Sequence, residues 1–201
     1  MINAIIFDFG DVFINLDKQA TQDQLQALGL KAWNEELDAL NIAFEKGDCT
    51  RDAFLNGFQK QIPNASQEEI LAAWNAVLLD FPLYRLEFLQ LLSQKYRLFL
   101  LSNTDAIHID TFEQKTGSSF YGAFYQCFEK VYFSFEVGMR KPDAEIYLHV
   151  LQQNDLSPKR TLFVDDKKEN TDAAQALGLQ VWNLQVGKED VVDLFEKNNL
   201  G

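Results

Sequence analysis

The sequence predicts an α/β fold, an open parallel sheet flanked by helices, with a small all-helical domain inserted behind the first strand. Three observations carry this expectation. Short apolar runs rich in β-branched and aromatic residues recur along the chain, helical patterns stand between them, and a long stretch after the first run holds helical patterns alone.

Taken in order, the first run is Ala4 to Phe7. Three more follow at Arg97 to Leu101, Thr161 to Val164 and Gln180 to Leu184, each bounded by polar or turn residues, and all four read as buried strands. Asp143 to Gln153, behind Pro142, reads as a helix. So does Asn170 to Leu177, with Asp172 in its first turn and Gly178 where a C-terminal cap belongs. Strands alternating with helices imply right-handed crossovers and a parallel sheet.

The interval between Phe7 and Arg97 is far longer than one crossover helix needs. Within it, Ser66-Gln67-Glu68-Glu69 has capping-box spacing before a helix that puts Ile70, Leu71, Trp74, Val77 and Leu78 on one face. Thr50 caps another helix, holding Phe54, Leu55 and Phe58, and Gly47-Asp48 before it marks a loop. The expected division is a core of residues 1–16 and 85–201 and a helical insert of residues 17–84.

Composition narrows the function. A chain of 201 residues, 47% of them hydrophobic, can bury a sizeable core, and its 17 Phe read as core filling. Thirty Asp plus Glu against 18 Lys plus Arg give a net charge of −12, which repels nucleic acid and anionic membranes, so neither is an expected partner. A small anionic substrate must then be drawn in by a local positive site. Cys49 and Cys127 lack metal-site spacing and read as buried free thiols. The opening MINAIIFDFG has no basic n-region and no long apolar run, so the expected location is the cytoplasm. Oligomeric state stays open.

Ligands of an open parallel sheet bind outside the carboxyl ends of its strands, so the residues following each run matter most. Asp8 and Asp11 follow the first; Ser102, Asn103 and Thr104 the second; Asp165 and Asp166 the third; Lys141 stands before Pro142 at a helix start. Asp8, Asp165 and Asp166 at one sheet edge repel one another unless a cation joins them. Hard oxygen ligands without His or Cys favour Mg2+. Ser102 then offers a hydroxyl and Lys141 a fixed positive charge to a phosphoryl group. Any one of these residues alone is explained by turn and helix capping; the joint pattern is not.

IIFDFGDVF, FLLSNT, the Lys of GMRKPD and FVDDKKENTDAA resemble motifs I to IV of the haloacid dehalogenase (HAD) superfamily, in order and across nearly the whole chain. The resemblance implies a Rossmann-like core with a C1 helical cap, close to the bacterial sugar-phosphate phosphatases of the glucose-1-phosphate type. It further implies a Mg2+-dependent phosphatase acting on a small phosphorylated metabolite, with Asp8 as the nucleophile that forms an aspartyl-phosphate. By the same resemblance, Asp8, Asp166 and the Gly10 backbone carbonyl bind the metal and Asp165 holds a metal-bound water. Ser102 and Lys141 hold the phosphoryl oxygens, Asn103 orients the motif II loop, and Asn170, at a helix cap, is structural.

One position departs from the superfamily pattern. Where most of its phosphatases carry a second Asp as general acid and base, this chain has Gly10. Asp11 is the nearest substitute, although neighbouring residues of an extended loop point in different directions. Two alternatives follow: a catalytically weak metal- and phosphate-binding regulatory protein, motivated by Gly10, and a 2-haloacid dehalogenase, which has no use for the Asp165-Asp166 pair.

The remaining polar residues are expected to stay outside the site. His108 and His149 have no ligand-spaced partner, Trp33 and Trp74 read as core of the insert, and Lys159-Arg160 and Lys167-Lys168 read as solvated faces. The segment Glu45-Lys46-Gly47-Asp48 is where a substrate-specificity loop is expected.

Overall fold

The computed structural model describes residues 1–198; residues 199–201 of the expected core span lie outside it. Five strands, β1 (Ala4–Phe7), β2 (Arg97–Ser102), β3 (Lys130–Phe133), β4 (Thr161–Asp165) and β5 (Gln180–Asn183), form one sheet in the order β3-β2-β1-β4-β5. Every pairing is parallel, and β1 sits centrally, with Phe7 beside Leu100 on one side and Val164 on the other.

Strand alternation divides the core. Ile5, Phe7, Leu98, Leu100, Leu162 and Val164 face one apolar cluster, whereas Ala4, Ile6, Phe99, Leu101 and Phe163 face another. Burial on both faces explains why the strands read as continuous apolar runs.

Helices α1 (Lys18–Ala27), α2 (Glu35–Glu45), α3 (Arg51–Gln61) and α4 (Gln67–Asn75) lie between β1 and β2 with a core of their own, in which Phe54 contacts Phe44, Phe58 and Trp74. Helices α5 (Leu83–Leu92), α6 (Ala106–Thr116) and α7 (Ser118–Tyr125) cover the first sheet face. A short α8 (Ser134–Val137) follows β3, and α9 (Ala144–Gln153) and α10 (Lys168–Ala176) cover the second face before α11 (Leu194–Asn198). Thr50 caps α3, and Ser66 with Glu69 forms the expected capping box on α4.

Several expectations need correction. The sequence reading missed β3, an edge strand of four residues whose charged start is exposed and which follows the aromatic helix α7 directly. Helix α4 stops at Asn75, so Val77 and Leu78 do not extend its apolar face; Leu78 instead pairs with Leu16 in an isolated antiparallel bridge. Helix α10 begins at Lys168, which places Asn170 inside its first turn rather than at its cap. Cys127 is buried, but Cys49 is only half-buried.

Candidate active site

Parallel strands end on one edge of the sheet, and that edge gathers the expected residues. Asp8 leaves β1 with its N–H bonded to Val164 O at 2.9 Å, Ser102 and Asp165 are the last residues of β2 and β4, and Lys141 comes from the loop before α9. The Lys141 ammonium, 1% exposed, donates at 2.7 Å to both Asp8 Oδ1 and Asp165 Oδ2. Asp165 is held further by Lys167 N–H at 2.8 Å and by Asn170 Nδ2, 3.0 Å from each carboxylate oxygen. Asn170, expected to be only structural, therefore fixes a member of the site.

The electrostatics leave room for a cation. Oxygens of Asp8, Asp165 and Asp166 lie within 4.8 Å of one another. Burial, with further push from Asp165 and Asp166, raises the Asp8 pKa to about 7 in spite of Lys141. Lys141 itself is raised, because the two carboxylates outweigh the burial that opposes its charge. Three clustered carboxylates against one buried ammonium, all hard oxygen donors, fit Mg2+. Asp166 is the more accessible of the motif IV pair and meets Lys18 at 3.1 Å.

Asp8, Ser102, Asn103, Lys141 and Asp166 line one cavity of about 250 Å³. Leu16, Lys18, Glu45 and Val77 also line it, with His108 from α6. Asn103 does not simply offer an amide to the cavity, since it pairs with the backbone of Lys141 at 2.7 and 2.9 Å.

A Cβ on Gly10 would lie 2.8 Å from Leu16 Cδ1, the end of a flexible side chain, so an acidic residue here would require Leu16 to turn aside. The Asp11 carboxylate accepts from Leu16 N–H at 3.1 Å and pairs with Lys18 at 2.7 Å, and it does not line the cavity.

A model of the haloacid dehalogenase-like hydrolase family matches residues 5–184. The chain belongs to that family. Among HAD proteins it is 27% identical over 199 residues to D-ribitol-5-phosphate phosphatase of Bacteroides thetaiotaomicron, covering 94% of this chain and 95% of that one. A HAD family enzyme of the same organism, solved with magnesium, superposes with a TM-score of 0.89 at 34% identity, covering 98% of this chain and 99% of that chain. In a variant with one aspartate changed to alanine, that enzyme was solved with magnesium and inorganic phosphate; the TM-score is 0.88 at 33% identity, covering 98% and 100%.

Sequence reasoning missed part of this HAD site. His108 lines the cavity although it was expected outside it, and Lys167 does so too although it was read as solvated. Lys18 and Leu16 were not singled out, since nothing in their local sequence shows that α1 begins over the sheet edge. The spacing Asp105-Ala-Ile-His108 at a helix start was the available signal for His108. Trp74 is buried as expected, but its backbone and indole also reach the site through His108 and Asp105.

Proposed function

We propose that the chain is a Mg2+-dependent phosphomonoesterase that hydrolyses a small phosphorylated metabolite, a sugar or polyol phosphate, in the cytoplasm. One observation carries the reading: the Asp8 carboxylate sits at the sheet edge, held on one oxygen by buried Lys141, in a cavity that also presents Ser102, Asp166 and an acidic metal set.

In this mechanism the Asp8 carboxylate oxygen attacks phosphorus as the bond to the leaving oxygen breaks, and water later attacks the same phosphorus to release phosphate and regenerate Asp8. Lys141 and the Ser102 hydroxyl hold the phosphoryl oxygens, and Asn103 keeps the Lys141 backbone in place. Asp8, Asp166 and the Gly10 carbonyl would hold Mg2+, which would offset the negative charge of phosphate and carboxylates together. Asp165, expected to hold a metal-bound water, is also the anchor that Lys141 and Asn170 grip.

Residues 17–84 act as the cap domain over this site and set specificity. The contact of Glu45 on α2 with Arg140, at 3.0 Å, supports that role for the Glu45 segment. Support for the substrate class comes from the likeness to D-ribitol-5-phosphate phosphatase over nearly the full length of both chains. The Gly10–Leu16 contact keeps one alternative in view, a weakly catalytic binding protein of the same fold.

The deciding experiment measures phosphate release from a panel containing D-ribitol 5-phosphate and glucose 1-phosphate, with and without Mg2+, beside Asp8→Asn. Metal-dependent release that disappears in the variant is expected. Binding of Mg2+ and phosphate with no turnover on any substrate would favour the regulatory alternative.

A further inference from the structure

His108 stands outside the nucleophile, metal and phosphate set, yet it lines both the phosphate cavity and an adjoining cavity of about 290 Å³ walled by Trp33, Trp74 and Val77. Its ring is held on three sides. Nδ1 lies 3.0 Å from Asp105 Oδ2, Nε2 lies 3.1 Å from the Trp74 carbonyl oxygen, and the ring stacks on the Trp74 indole with centroids 5.1 Å apart and planes 6° apart. Asp105, 1% exposed, also accepts from the Trp74 indole N–H at 3.1 Å and the His108 backbone N–H at 3.0 Å. A carboxylate receiving three donors is ionised.

Both ring nitrogens of His108 therefore face acceptors. Only the doubly protonated imidazole donates to both. Trp74 belongs to α4 of the insert and His108 to α6 of the sheet domain, so this network crosses between them.

We infer that His108 is a positioning residue for the phosphatase reaction: locked as an imidazolium between Asp105 and the Trp74 carbonyl, it fixes the aromatic wall of the insert against the phosphate site and so sets affinity for the leaving group.

Other charges around the ring agree with this role. Burial opposes the charge on His108, but Asp105, the Trp74 carbonyl and, least, Glu45 on α2 together outweigh it and hold the imidazole above its ordinary range. Lys18 of α1 lines the same two cavities but is engaged by Asp11 and Asp166, and Asp8 and Asp166 face the ring only across the phosphate cavity. Losing the proton would turn a nitrogen lone pair towards an acceptor oxygen and loosen the contact between insert and core.

The kinetic part of this inference rests on the phosphatase reading, so the test has one arm that needs no turnover. The full chain contains two histidines, and their ring protons can be followed by NMR through a pH titration, with assignment by His149→Gln. His108 is expected to titrate above the ordinary value of about 6.5 and to fall back in Asp105→Asn.

In steady-state assays with Mg2+, KM should rise on the alkaline side as His108 loses its proton, with kcat little changed. His108→Gln should raise KM roughly tenfold at neutral pH and abolish that alkaline rise. A His108 titration at or below the ordinary value, or a His108→Gln variant with native KM and native pH profile, overturns the inference. Absence of all phosphate release overturns the phosphatase reading instead, and the NMR titration tells the two failures apart.

Discussion

Asn103 grips the peptide of Lys141 from both sides, its Nδ2 donating to the Lys141 carbonyl at 2.7 Å and its Oδ1 accepting from the Lys141 N–H at 2.9 Å. Two loops from different strands are thereby joined directly behind the ammonium that holds Asp8 and Asp165. A side chain whose amide nitrogen and oxygen both bond to one residue's backbone is a positioning element, and small displacements of a catalytic group are costly. Asn103→Ala should therefore lower kcat by about 10²-fold while the fold persists. Parallel measurement of phosphate release and thermal unfolding checks this; an unchanged kcat in a folded variant sinks the assignment.

Leu16 and Gly10 make a second test. Gly10→Asp alone puts a Cβ 2.8 Å from Leu16 Cδ1, so the Leu16 side chain must turn aside and the gain is expected to be smaller than when that side chain is removed. Pairing it with Leu16→Ala frees the space. If leaving-group protonation limits the native enzyme, the double variant should act faster on alkyl phosphates, by up to about 10²-fold, and little faster on p-nitrophenyl phosphate, whose leaving group needs no proton. Equal effects on the two substrates would show that the acid at this position is not what the native chain lacks.

On the proposed metal role, Asp8 should link metal binding to protons. In the metal-free chain its pKa is pushed up to about 7 by burial, with Asp165 and Asp166 adding to the push against Lys141. A carboxyl raised in the folded state holds its proton more tightly folded than unfolded, so metal-free stability falls as pH rises from the ordinary carboxylate range towards 7 and levels off above it. Mg2+ takes the deprotonated form, so its affinity should fall by up to about tenfold per pH unit below 7. Titration calorimetry at pH 6 and pH 8, in buffers of different ionisation enthalpy, should show proton release at the lower pH only. Affinity independent of pH over that range would contradict a raised Asp8.

The sheet and the motif residues were legible because each depends on a local pattern. A strand buried on both faces must be an apolar run, and a residue placed at the sheet edge must stand at or just after a strand's end, as Asp8, Asp165 and Asp166 do. Strand β3 was not legible, since an edge strand of four residues with an exposed start carries little of that pattern. His108, Lys18 and Leu16 were hidden for another reason. Their importance arises where α1, α4 and α6 converge over the sheet edge; the Asp105–His108 spacing marks a helix start, but no spacing within the sequence encodes that convergence. Asn170 shows the intermediate case: its presence near the site was legible, but its bond to Asp165 depends on α10 starting two residues earlier than the sequence pattern indicated.

Glu45 brings the end of α2 to the cavity. It ends α2, lines the phosphate cavity, and meets Arg140 Nη2 at 3.0 Å and Nε at 3.1 Å, next in sequence to Lys141. Both guanidinium nitrogens donate to the same oxygen, Glu45 Oε2, so the pair is a forked contact on one acceptor. Beside them, Gly47 adopts a φ of +72°, and a Cβ there would run into the Phe135 carbonyl, so the backbone of the insert packs closely against the sheet domain at this point. Both side chains are only partly buried, which limits the pair to about 1 kcal/mol of coupling between insert and core. Glu45→Gln and Arg140→Met should each raise KM several-fold, and together should cost less than the sum of the two. Reversing the pair, Glu45→Arg with Arg140→Glu, should recover part of the loss. Strict additivity across this cycle would show that the contact does not position the insert, and specificity would then have to come from the aromatic wall at Trp33 and Trp74.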